Sequence, residues 1–237
     1  MKRRIGIGGA LALGLSAVLA TPAQAADTET IYVPDDFVQA LSSTKGTGSW
    51  ELEGSSLHLK TVTGTDKVAE YVATDQSLAA IGEPALDYTS ATGAAPGFQL
   101  IIDFDANGSP DGILIGEPGA YGNDWWLNNA AAGFVKEKAP SHTSGFGSTN
   151  HGTLDQWRDA FTDANVTAFG FSLGTGPTGE GVLNAIDFAG SRYTFAAHTV
   201  LEGKDDCKKG GWATSTKPEF PNQGQCVSYF AKMEKMK

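Results

Sequence analysis

Most of this chain is cut by glycine into short apolar or alternating runs, and that pattern most limits how it folds. Thirty glycines punctuate 237 residues. Residues 49–53 and 57–62 alternate apolar with polar side chains across a Glu53-Gly54-Ser55-Ser56 turn, the signature of paired strands. Residues 67–74, 98–104, 113–115, 125–127, 166–173, 182–188 and 191–195 extend the series. Only Thr153-Leu154-Asp155-Gln156 carries a full helix-start signal, a capping box followed by Leu154, Trp157 and Phe161 on one face. Residues 31–41, with Asp35-Asp36 as a cap, are a weaker helix candidate. A helix between successive strands is missing, so an α/β architecture is disfavoured. The expected fold is all-β: an antiparallel, jelly-roll-like β-sandwich with one short helix. No fixed-period repeat supports a propeller or solenoid.

Residues 1–25 read as a secretory signal: Lys2, Arg3 and Arg4, an apolar run, then Ala23-Gln24-Ala25 as a cleavage site. No second long apolar run predicts a membrane span. Loss of the three leader cations takes the formal net charge from −10 to −13, which argues against nucleic acid or an anionic bilayer as partner. The charge is uneven: residues 26–200 hold 7 basic and 22 acidic side chains, residues 201–237 hold 7 and 5. A boundary near residue 200 follows, separating a sandwich domain from a C-terminal segment. Cys207 and Cys226 are the only cysteines, and in an exported chain they are expected to pair and close that segment.

Asp103, Asp105, Asn107 and Asp111 stand at positions 1, 3, 5 and 9 of an acidic loop, with Gly108 at position 6. Such a set suits a hard cation, and calcium is the candidate cofactor. The loop resembles EF-hand and FG-GAP calcium loops. Leu114 stands where an EF-hand has its bidentate Glu, and a single copy does not make a propeller. A polar hairpin turn explains the same residues, because Asn-Gly, Ser-Pro and Asp-Gly all form turns.

Tyr121, Asn123, Asp124, Trp125, Trp126 and Asn128 combine flat aromatic faces with amide and carboxylate groups. That mixture suits sugars, whose ring C–H surfaces stack while hydroxyls hydrogen-bond. Adjacent tryptophans on a strand point to opposite faces, so one meets ligand at most and the other enters the core. Packing of both rings is the alternative.

Gly170-Phe171-Ser172-Leu173-Gly174 matches GxSxG and resembles the nucleophile elbow of α/β-hydrolases, with Asp187 and His198 as the acid and base in chain order. Thr175-Gly176-Pro177-Thr178-Gly179 follows where that elbow has a helix, so the match reads as a strand ending in a turn. His58, His142, His151 and His198 fit no zinc spacing. Asp87, Glu117 and Asp124 are the available carboxylates for a glycosidase.

Four segments, DGILIGE (111–117), YGNDWWL (121–127), TLDQW (153–157) and AFGFSLGTG (168–176), together resemble a domain of uncharacterised secreted proteins of Gram-positive bacteria. The closing strands are more loosely similar to carbohydrate-binding jelly rolls. The CKKGGW and FPNQGQCVSY segments around Cys207 and Cys226 resemble a C-terminal cysteine motif of varied secreted bacterial proteins. These resemblances imply export and modularity. The function expected is therefore a secreted or cell-wall-associated, non-catalytic β-sandwich that binds polysaccharide or another surface component. A secreted glycosidase or serine esterase, and a structural surface protein, are the alternatives.

Overall fold

The computed structural model describes residues 27–143 and 147–236; the leader expected over residues 1–25 lies outside them. In chain order the strands are β1 (Asp27–Tyr32), β2 (Ser43–Lys45), β3 (Ser49–Glu53), β4 (Ser56–Thr61), β5 (Lys67–Ser77), β6 (Ala85–Gly93), β7 (Gly97–Asp103), β8 (Gly112–Gly116), β9 (Asp124–Leu127), β10 (His151–Thr153), β11 (Asn165–Gly174), β12 (Gly179–Phe188) and β13 (Ser191–Ala196). The α-helices are α1 (Pro118–Tyr121), α2 (Gly133–Glu137), α3 (Leu154–Ala160) and α4 (Gln223–Glu234).

Two sheets result. The larger is antiparallel throughout, ordered β10-β9-β8-β7-β11-β5-β2. In the smaller sheet β12 pairs along one edge with β6 and along the other with β4, then β13. Strand β3 extends β4, and β1 joins β13 in parallel. The inward residues of both sheets meet in one core: Leu100, Ile102, Leu114, Phe169 and Phe171 from the larger, Leu57, Leu59, Leu183, Ile186 and Phe188 from the smaller. Phe169 stacks on Phe188 across the layers with centroids 4.2 Å apart. The alternation seen in the sequence has this cause, since each strand buries one face against the opposite sheet.

The capping box forms as expected. Thr153 Oγ1 accepts from Gln156 N and Gln156 Oε1 accepts from Thr153 N, which starts α3. Its Trp157 and Phe161 pack on Phe104, and Trp157 donates its indole N–H to the Trp125 carbonyl at 3.0 Å.

Several expectations need correction. Residues 31–41 are not helical: β1 ends at Tyr32, whose N–H is taken by Asp36 Oδ2 at 2.6 Å, and the following chain turns until Phe37 bridges to Val72. The carboxylate thus closes a turn where it was read as a helix cap. Strands β1, β2 and β10 carry no apolar alternation and β6 only the short Leu86-Asp87-Tyr88 one, and none of the four was expected from the sequence. In β1 and β6 most side chains are exposed, so selection for a buried face is weak. One short helix also undercounts, because α4 forms in the C-terminal segment with Asn222 as its cap.

Cys207 and Cys226 are disulfide-bonded, and they form with Phe220 a small buried cluster flanked by Trp212 and Phe230. This cluster is separate from the sandwich core. Thr216 N donates to Thr199 O, and Lys217 pairs with Asp35 at 2.6 Å, fastening the segment to the start of the sandwich. Among the described residues no helix is long and apolar enough to cross a membrane.

One carboxylate organises the turn between β4 and β5. Asp66, almost fully buried, accepts from the N–H groups of Thr47, Val62 and Thr63 and from the hydroxyls of Thr47 and Thr63. Those hydrogen bonds, the Thr47 hydroxyl first, hold its pKa far below the usual aspartate range. Gly46 makes room for it, since a Cβ there would lie 2.1 Å from Asp66 Oδ1.

Candidate ligand cleft

Strand alternation places Trp125 and Trp126 on opposite faces of the larger sheet, as the sequence required. Trp125 points inward, 7% exposed, edge-on to Phe98, and Gly116 lies flat beneath its ring. Trp126 points outward and is half-buried. Its indole N–H donates to Glu117 Oε2 at 3.0 Å, and the Tyr121 ring stands edge-on at 6.5 Å. Gly147 lies against the indole: a Cβ there would come within 2.7 Å of the ring.

Trp126 lines a cleft of about 1150 Å³ that runs over the outer face of the sheet and around to the edge at β6. Register sets out the floor. Trp126 lies opposite Ile115, Ile115 opposite Gln99, Gln99 opposite Gly170 and Gly170 opposite Tyr71, so one row crosses five strands. Tyr71 donates its hydroxyl to Gln99 Oε1 across Gly170, which leaves the Gln99 amide N–H groups as donors. Burial, reinforced by the nearby Glu70 carboxylate, pushes the Tyr71 pKa up to about 12, so it remains that donor. Ser172 and Lys67 line the same floor. Burial, and after it the Lys45 ammonium opposite, lowers the Lys67 pKa. At the β6 side, the Tyr88 hydroxyl is buried with no hydrogen-bond partner among the described residues.

The other sequence candidates are distributed as follows. Asn123 is exposed on the cleft rim. Asn128 serves the backbone instead: its Oδ1 accepts from Ile113 N at 2.9 Å. Asp124 Oδ2 lies 2.7 Å from His151 Nδ1. Gln99, Lys67 and Tyr88 were not assigned to a ligand surface by the sequence, because they reach it from three strands, and Glu117 was named there only as a glycosidase carboxylate. Only sheet register brings them together.

Asp103, Asp105 and Asp111 converge, with one carboxylate oxygen of each within 4.8 Å of the others. Each is also engaged by the loop: Asp103 accepts from Asn107 N and Gly108 N, Asp105 from Asn107 N, and Asp111 from Phe104 N. Asn107 Oδ1 accepts from Ser109 N at 2.9 Å. Carboxylate oxygens keep further lone pairs after one such bond, so the donor set still fits a cation.

The GxSxG residues do not assemble. Ser172 faces outward from the larger sheet, between the inward Phe171 and Leu173. Asp187 faces outward from the smaller sheet, bound to Arg192 at 3.1 Å. The whole core lies between them. His198 stacks on Tyr32 and hydrogen-bonds Thr216 at 3.0 Å. Ser172 continues as strand to Gly174, with no helix springing from it. Comparison with protein-family models, curated proteins and solved structures finds no match to this chain.

Proposed function

We propose that this protein is an exported, jelly-roll-like β-sandwich that binds a polysaccharide or related cell-wall component in the cleft beside Trp126. The observation that carries the reading is the disposition of Trp126: outward, half-buried, with its indole fixed by Glu117 and flanked by Tyr121 in a cleft of about 1150 Å³. A fixed aromatic face of that kind stacks on sugar C–H surfaces at little entropic cost. Gln99, Ser172, Tyr88 and Asn123 supply the hydroxyl-binding groups around it. The loop of Asp103, Asp105, Asn107 and Asp111 holds calcium in this reading, as a structural ion that neutralises three clustered carboxylates. The disulfide fits an oxidising, extracellular setting.

The test is a pull-down of the mature protein on cell-wall polysaccharides together with a glycan array, with and without calcium. Retention that is lost in Trp126→Ala supports the reading. No retention on any glycan, or equal retention by that variant, overturns it.

A further inference from the structure

Beside the cleft, where β10 pairs with the strand that carries Trp126, three side chains stand in an order that binding does not require. His151 Nδ1 lies 2.7 Å from Asp124 Oδ2, and His151 Nε2 lies 2.8 Å from Thr143 Oγ1. An ionised carboxylate only accepts, so the Nδ1 proton belongs to the bond with Asp124. In the neutral ring, Nε2 then presents its lone pair to the Thr143 hydroxyl, which donates. Ser141 Oγ, 3.1 Å from Thr143 Oγ1, can donate to that oxygen in turn. The hydrogen bonds therefore run in one direction, from hydroxyl to imidazole and from imidazole to carboxylate.

Burial follows the same order. His151 is 5% exposed, Asp124 is half-buried, and Thr143 is exposed. A shielded base oriented by a carboxylate, next to an accessible hydroxyl, is the arrangement that activates an oxygen nucleophile. Such a triad is recognised by geometry and roles rather than by chain order or sequence motif. His151 sits directly opposite Trp126 in the β9–β10 ladder, so the relay adjoins the cleft.

We propose that Thr143, His151 and Asp124 form a nucleophile–base–acid relay that hydrolyses an acyl ester, carried by the glycan in the cleft. The carrier rests on the binding reading above; the ester chemistry does not. Thr143 Oγ1 attacks the ester carbonyl while its proton passes to His151 Nε2. The carbonyl–alkoxy bond breaks and that proton leaves with the alcohol. Water then attacks the acyl-threonine, giving its proton to Nε2, and the carboxylic acid and the free hydroxyl are regenerated. Asp124 is a positioning residue, holding the imidazole in the required tautomer and stabilising its transient charge.

The mature protein, Thr143→Ala and Thr143→Ser are assayed for hydrolysis of p-nitrophenyl acetate, which needs no glycan site. Both substitutions fall on an exposed residue, so folding is retained. The wild-type protein is expected to exceed Thr143→Ala by about a hundredfold or more, the scale of a lost acid–base-assisted nucleophile, with Thr143→Ser keeping activity. A fluorophosphonate probe is expected to add its phosphonyl group to Thr143 in the wild type. Equal rates for wild type and Thr143→Ala, or no label at Thr143, overturn the proposal. Glycan retention by Thr143→Ala, measured in parallel, reports separately on the binding reading.

Discussion

Trp125 and Trp126 share a peptide bond and serve opposite sides of one sheet, the first sealed over Phe98 and the second open beside Glu117. Truncating them therefore has separable effects. Trp125→Ala removes a core ring and is expected to cost about 3–5 kcal/mol, read as a large drop in the urea or thermal midpoint. Trp126→Ala is expected to leave the midpoint close to wild type. It loses roughly 1.5–3 kcal/mol of apolar burial with ligand, a tenfold or greater drop in glycan affinity measured by calorimetry.

Asp66 makes the sandwich acid-sensitive at a single turn. A carboxylate whose folded pKa is depressed contributes stability that is complete above its unfolded value, about 3.9, and lost as pH falls towards the folded one. Wild type is thus expected to lose stability steeply below that value. Asp66→Asn is expected to be less stable at neutral pH and to show a flatter acid limb, because it keeps the shape but forfeits the charge-assisted bonds. Denaturant midpoints from pH 7 down to pH 2 measure the difference.

Calcium at the acidic loop predicts a rise in melting temperature with millimolar calcium over chelator. Asp103→Asn is expected to abolish that rise, since Asp103 is the most buried of the three carboxylates. An unchanged melting temperature in wild type removes the ion from the account.

Reducing the disulfide is expected to unfasten the C-terminal segment while the sandwich stays folded, as Cys207, Phe220 and Cys226 form a cluster apart from the main core. The bridge stabilises its loop by about 3 kcal/mol in the chain-entropy model. Limited proteolysis with and without reductant measures it: new cuts are expected after residue 200 and not in β7 or β11.

Ser172→Ala is expected to change neither folding nor the hydrolysis of p-nitrophenyl acetate, which needs no glycan site. Its hydroxyl lies on the sheet face, with the core between it and Asp187. Loss of p-nitrophenyl acetate turnover in this variant, with Thr143→Ala unaffected, would move the chemistry to the GxSxG segment.

The strands that bury a face were legible from the sequence: the runs in β7, β8 and β11 are apolar because they line the core. Strands β1 and β6 were not, because edge strands with exposed side chains leave the alternation unselected. The same contrast governs the cleft. The division of labour between Trp125 and Trp126 follows from pleat alone and was readable in advance. Gln99, Lys67 and Tyr88 were not readable, since nothing local places Gln99 opposite Gly170 or brings β6 against the sheet end. His151, which fits no zinc spacing, was not readable either, because its partners Asp124 and Thr143 arrive by strand pairing and by the return of a loop.

Among the described residues, β1 pairs with no strand but β13, from Asp27 against Ser191 to Tyr32 against Ala196. The first described strand thus waits for the last one of the sandwich, and a chain truncated before residue 191 leaves that ribbon with no edge to join. Completion of the sandwich is in this sense a closing of its two ends upon each other, a late and long-range event. It also brings the start of the sandwich beside the strand that leads into the C-terminal segment, so the ends of the sandwich suit head-to-tail joining and a new opening at an exposed turn elsewhere.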